Sequence, residues 1–397
     1  MSLGDRDRLA LVVADVNWFT TENLFRELDD PAVALLGLRC MDYVNGWRKR
    51  IFPWSSSTRL RRRGNGRWSR DLVLPPGWMK RFPRLGMRPI ARAADSFWRR
   101  EGAGARRGLV MTYPHYRYLA DQVRPEVSLY YNLDDYALYW PGRADEIRAL
   151  ERELVRSSTA TVCVSRRRAE ELRRGSPEAA ARVHHIPHGA PRAFLAPEPL
   201  PRPGSPPADI GHLPRPWIGY VGTLEDRLDW PLLEALVARF SRASIIVVGR
   251  LPQPSEDDWF ESARRFIDRP NVHVVGWRTQ AELPRYYQSF DVNLIPYRVD
   301  HPFNMASSPT KIMDGMAATR PMVASAIPEC RLYEHLMDVA ETREAFLEAV
   351  GAVLDRGSDD GRAESRHAWA RANLCGEVVK RVLATLWEPE RAPVSLD

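Results

Sequence analysis

The 397-residue chain predicts an α/β protein built as two doubly wound, parallel-sheet domains. Three observations carry this. Short continuous apolar runs alternate with stretches of helical spacing in both halves, as expected for strands buried on both faces and their crossover helices. Ten prolines fall within residues 187–216 and divide the two halves. Several apolar runs of the second half end at a glycine, as at Gly222, Gly249 and Gly276, where ligands approach the carboxyl edge of such a sheet.

In order along the chain, strands are expected at residues 9–13, 109–112, 127–131 and 160–164, with a helix over 145–156. Residues 45–108 fit this alternation poorly and read as long loops and basic helices inserted into the first domain. The first domain spans 1–190, and 191–215 is an extended, semi-rigid linker. The second domain, 216–360, places strands at 217–222, 244–249, 272–276, 291–296 and 321–325, and helices at 230–240 and 282–290. The C-terminal stretch 361–397 is expected to be a long helix packing back on the N-terminal domain.

Hydrophobic residues make up 44% of the chain and charged residues 27%, values of a soluble globular protein. No apolar run approaches the roughly 18 residues of a membrane span. The first residues lack the apolar core and cleavage site of a signal peptide. Cys40, Cys163, Cys330 and Cys375 are widely spaced, which argues against a disulfide framework or a zinc site. A reducing cytoplasm follows. The net charge of +7 is unevenly placed, because residues 44–110 hold 18 basic side chains against Asp71, Asp95 and Glu101. Trp47, Trp54, Trp68, Trp78 and Trp98 are interleaved there. Arginine with tryptophan suits an anionic membrane surface on the inner face of the cell membrane. Nucleic acid is disfavoured, since no helix-turn-helix, zinc finger or RNA-binding signature is present. A solvated arginine-rich surface is the bland alternative.

Residues 307–325 say most about function. They read as loop, short helix, tight turn and buried strand. Ser307 or Ser308 can cap the helix, and Pro309 suits its first turn. Free N–H groups at a helix start attract anions. Lys311 adds a compact charge there, in a chain where only four of 58 basic residues are lysine. Asp314 follows one turn later on the same face, where a carboxylate can accept from ribose hydroxyls. A phosphate cradle with an acid beyond it is a nucleoside-diphosphate site; an ordinary capped surface helix is the competing reading.

With these residues in view, the chain resembles the GT-B glycosyltransferases, two Rossmann-like domains facing a cleft. Tyr220-Val221-Gly222-Thr223, the run from Ile245 to Arg250, the run from Val272 to Trp277, and Phe290 to Tyr297 resemble the strands and loops of the family's donor domain. The segment around Pro309-Thr310-Lys311, with Met316-Ala317-Ala318 and the following strand, is similar to its signature. Ser165 and Ile186-Pro187-His188-Gly189-Ala190 resemble the end of its acceptor domain. The commonest retaining branch carries two glutamates eight positions apart; here those positions hold Ala306 and Asp314. The first acid is missing, which favours inversion. Asn132-Leu133-Asp134-Asp135-Tyr136 loosely resembles the aspartate segment of the membrane-associated glucuronosyltransferase family of xanthan assembly.

The resemblance implies a nucleotide-sugar donor, a glycan or lipid-linked acceptor and no required metal or other cofactor. Ser308, Thr310, Lys311, Arg227, Arg250, Gly249 and the backbone at Gly222 and Thr223 would hold the donor, with Asp314 on its ribose. Asp134 or Asp135 is the expected base, with Asp15 beside Asn17 as the second candidate. His188 is expected in the cleft. A nucleotide-sugar 2-epimerase and a non-catalytic membrane-docked scaffold of the same fold are the competing functions.

Overall fold

In a computed structural model, residues 8–17, 19–64, 66–199, 205–255 and 257–391 are described. The apolar run after Arg8 forms β1 (Arg8–Ala14), buried from Leu9 onward because both faces of the strand are covered. Its neighbours are β2 (Val33–Asp42) and β5 (Ala105–Met111), both parallel, with Leu11 opposite Leu35 and Gly108. The sheet is completed by β3 (Arg61–Gly64), β4 (Arg67–Leu74), β6 (Val127–Asn132), β7 (Ala160–Cys163) and β8 (Val183–His185). Its order is β3-β4-β2-β1-β5-β6-β7-β8, parallel except for the β3/β4 pair.

Residues 45–108 are therefore not an insertion of loops and basic helices. They supply two strands of the sheet and the helix Arg88–Glu101, the crossover into β5. That helix buries Ile90, Ala94, Phe97 and Trp98 and turns Arg92, Arg99 and Arg100 outward. Trp98 donates through Nε1 to the Ala10 carbonyl 2.9 Å away, tying the crossover to β1. Trp68 and Trp78 are buried as well, so only part of the aromatic content of this stretch is at the surface.

A second sheet holds β9 (Trp217–Val221), β10 (Ser244–Val248), β11 (Val272–Val274), β12 (Val292–Ile295), β13 (Met322–Ser325) and β14 (Asp338–Ala340), in the order β11-β10-β9-β12-β13-β14. All of its pairs are parallel. The chain divides into two units: one runs up to His188 and resumes at Cys375, the other is Gly189–Leu374.

The proline-rich segment belongs to the second unit and is not a free linker. Phe194 is 1% exposed and meets Tyr287 edge-on, Ile210 is fully buried, and the Ala196 N–H donates to the Ala317 carbonyl at 2.8 Å. Residues 200–204 of the expected linker lie outside the described residues. The expected long C-terminal helix is two helices, Ala363–Ala372 and Cys375–Ala384. The first packs on the helix Thr310–Ala318 in the second unit. Its Arg366 is fully buried, paired with Asp360 and donating to the Thr319 and Leu336 carbonyls. The helix stops where the Asn373 carbonyl turns to accept from Ala190 N–H at 2.9 Å. The second helix packs on Phe19–Arg26 in the first unit and buries Val378, Val379, Val382 and Leu383.

Candidate functional site

The second unit brings three separated stretches together at the carboxyl ends of β9 and β10. Gly222 follows β9 and its N–H donates to the Val248 carbonyl at 2.9 Å. Gly249 follows β10, and a β-carbon there would stand 1.9 Å from the Gly222 oxygen. A β-carbon on Gly222 would in turn stand 2.7 Å from Lys311 Cε and 2.9 Å from Lys311 Nζ. Gly249 is therefore closed to any larger residue, and the missing side chain at Gly222, whose φ is +156°, is what lets the lysine lie along the loop. Lys311 donates to the Tyr297 hydroxyl at 2.7 Å and stands 5.4 and 5.2 Å from the ring centres of Tyr220 and Tyr297. The Tyr220 hydroxyl is occupied by the Thr223 carbonyl at 3.0 Å.

Asp314, one turn along the helix Thr310–Ala318, is buried, and no hydrogen-bond partner for its carboxylate is found among the described residues. Burial pushes its pKa up to about 7, against the opposing charge of Lys311. This is a carboxyl group with open acceptor capacity beside a fixed cation.

The remaining donor-site expectations divide. Thr223 and Arg250 are exposed at the loop ends. Arg227 is held by Glu225 through Nε at 2.8 Å. Thr310 is the first helical residue. The expected cap is corrected: Pro309 takes the N-cap position and no side chain caps the helix. Ser308 instead donates through Oγ to Glu329 at 3.3 Å, because its side chain is buried against the start of the helix Pro328–Arg331. Glu329, 1% exposed, is a buried acid that sequence reasoning missed. A glutamate directly after Ile327-Pro328, at the end of the β13 loop, was the only signal for it.

In the first unit, Asp15 follows β1 and is buried. It accepts from Asn17 through N at 2.9 Å and Nδ2 at 2.7 Å. Burial raises its pKa to about 7, outweighing the hydrogen bonds from the Cys40 and Asn17 backbone. Asn17 itself is exposed and its side chain also reaches the Cys40 carbonyl. Asp134 and Asp135 follow β6 with different duties. Asp135 is buried, accepts from the Ala137 N–H at 3.1 Å and lies 3.7 Å from the Arg168 guanidinium. Asp134 is half-buried and accepts from the Tyr139 hydroxyl at 2.6 Å. The adjacent pair thus splits into one structural acid and one partly solvated acid. His188 is buried, and burial lowers its pKa to about 4, so the ring is neutral at pH 7.

Residues 215–356 match the family model described as glycosyl transferases group 1. A protein of Bacillus subtilis (strain 168) described as a putative teichuronic acid biosynthesis glycosyltransferase, TuaH, is 25% identical over 160 residues. That match spans 39% of this chain and 38% of the relative's length. Among solved structures, Anabaena HepE in complex with UDP and glucose is similar with a TM-score of 0.64 at 13% identity, over 95% of this chain and 99% of that one. The UDP-forming α,α-trehalose-phosphate synthase of Burkholderia vietnamiensis is similar with a TM-score of 0.63 at 13% identity, over 96% of this chain and all of that one. The fold is GT-B.

Proposed function

We propose that this chain, whose residues 215–356 carry a group 1 glycosyl transferase domain within a GT-B fold, moves a sugar from a nucleoside-diphosphate sugar to a glycan or lipid-linked acceptor in bacterial surface polysaccharide synthesis. The observation that carries the reading is the seat of Lys311 against Gly222, itself packed on Gly249, with Asp314 open beside it. A cation held over a side-chain-free loop can stabilise charge developing on a diphosphate leaving group. Asp314 would accept from the ribose. The kinship with a teichuronic acid enzyme supports a polysaccharide product, and the structural neighbour solved with UDP supports a UDP-type donor.

For mechanism, the reading is inversion. Ala306 stands where the retaining branch has its first acid. The acceptor hydroxyl would give its proton to Asp134, the more solvated of the two adjacent acids, as its oxygen attacks the anomeric carbon and the diphosphate leaves. No metal step is required by this scheme. The acceptor's membrane origin is supported by Trp47 and Trp54, 71% and 78% exposed, amid the basic residues 44–110, and by the stacked Phe52–Trp54 pair. Among the described residues, no helix is long and apolar enough to cross a membrane.

A thermal-shift screen of nucleotide sugars tests the reading. UDP-sugars should raise the melting temperature of the wild-type protein and not of Lys311→Ala. Release of UDP that depends on an added glycan acceptor should follow. Conversion of the sugar without acceptor would instead identify an epimerase, and binding without turnover a scaffold.

A further inference from the structure

The first sheet changes character across one face. Where the helices Phe19–Arg26 and Cys375–Ala384 pack, β1 presents Leu9, Leu11 and Val13. On β2 the residues of that face are Leu35, Gly37 and Arg39, and their partners on β4 are Arg67, Ser69 and Asp71. The apolar covering stops at Leu35, and beyond it lies a cavity of about 470 Å³ lined by residues of this face and of the helix Phe19–Arg26. Gly37 keeps its floor low: a β-carbon there would meet only Val16 at 3.5 Å and the Trp68 carbonyl at 4.0 Å.

Four arginines line this cavity, Arg26, Arg39, Arg63 and Arg67, against Glu22 and Asp71. Arg39 is consumed by Asp71, which it grips with two hydrogen bonds of 2.8 and 3.1 Å. Among the described residues the other three have neutral partners only. Arg63 donates through Nε to Ser69 Oγ at 2.8 Å, Arg67 to the Arg26 carbonyl, and Arg26 to the Asn23 side chain. None of the three forms an ion pair with a carboxylate among the described residues, and the buried Arg67 Nε has no partner. Three guanidinium forks around a concave floor, with Phe25 and Leu35 as an apolar wall, match the oxygens of a phosphate attached to a larger body.

We propose that this cavity is a phosphate-binding site of the first unit, separate from the Lys311 site of the second. Its ligand is a phosphate or diphosphate ester, carried either on a soluble molecule or on a lipid headgroup. Calorimetry with pyrophosphate tests it, in the Lys311→Ala background so that the second unit's cation does not contribute. Saturable binding is expected, weakened at least fivefold by Arg63→Gln and by Arg67→Gln. Arg62→Gln is the control, since Arg62 lies opposite Trp68 on the other side of the strand pair and leaves binding unchanged. Arg63 is exposed, so its variant keeps the fold. Competition by phosphatidylglycerol vesicles, absent with phosphatidylcholine, would assign the phosphate to a headgroup, and pyrophosphate binding without such competition to a soluble ligand. No saturable binding, or equal weakening in Arg62→Gln, would overturn the site.

Discussion

The Lys311 ammonium and the Tyr297 hydroxyl lie 2.7 Å apart, and the lysine is the donor. The phenol directs the ammonium without neutralising it. No carboxylate pairs with Lys311 at ion-pair distance among the described residues, so its charge stays available to an anion. Lys311→Ala should weaken UDP binding by roughly 1.5–3 kcal/mol, the scale of a charge-assisted hydrogen bond. Calorimetry reads this directly, and equal affinity of variant and wild type would remove the lysine from the site.

Gly249→Ala tests the loop packing beneath that lysine. The new methyl would stand 1.9 Å from the Gly222 oxygen, so one of the two backbones must move. Overpacking of this kind costs about 1–3 kcal/mol or more. The variant should melt earlier and lose UDP affinity together, whereas Gly357→Ala, with nothing near its own β-carbon, should leave UDP affinity untouched.

Asp314 gives a pH signature. Its pKa is about 7 in the fold against 3.8 for the free side chain. Between those values the folded chain binds more protons than the unfolded one, so this group lowers stability as pH rises from about 4 to 7 and no further above that. A tenfold change in proton affinity is worth about 1.4 kcal/mol, so the full effect is at most a few kcal/mol. Asp314→Asn should match wild type in melting temperature at pH 4 and exceed it at pH 8, while binding UDP more weakly. A stability gain independent of pH would contradict the buried, raised acid.

The two adjacent acids of the first unit should separate by assay. Asp135→Asn keeps an acceptor for the Ala137 N–H but loses the charge beside the buried Arg168, so stability should fall by about 1–3 kcal/mol. Asp134→Asn should keep its stability and lower turnover by about 10²–10⁴-fold, the range of a lost general base. Near-normal turnover in Asp134→Asn would sink the base assignment. A product with the donor's anomeric configuration would sink inversion itself.

Membrane docking is addressed by replacing Trp47 and Trp54 with serine. Both are exposed, so the fold should be retained. Binding to anionic vesicles should drop severalfold, and binding of the wild type should weaken as salt rises. Binding indifferent to the tryptophans and to salt would place docking elsewhere.

Much of this was legible in residues 217–325, where each apolar run ends near a glycine or a turn and each became a strand. The stretch around β3 and β4 was not. β4 reads Arg67, Ser69 and Asp71 on one face because that face carries polar side chains around a cavity, so it lacks the apolar signature of a core strand. The contacts of Lys311 with Gly222 and of Asp135 with Arg168 join residues far apart in sequence, and only folding reveals them. The helix break at Asn373 has only a short signal in sequence, an asparagine with Gly376 three residues on. At the break the Asn373 carbonyl accepts from the N–H of Ala190, a residue at the opposite end of the unit in sequence, which no local pattern reveals.

That break has a consequence for biosynthesis. The second unit is one uninterrupted stretch, but the first needs the helix Cys375–Ala384, which leaves the ribosome nearly 190 residues after His188. Until then the cluster of Leu24, Phe25 and Leu28 with the sheet lacks Val378, Val379, Val382 and Leu383, and the nascent chain carries an open apolar flank. The later unit can therefore mature first, and a stop codon at residue 375 would yield a complete second unit tethered to an aggregation-prone first unit.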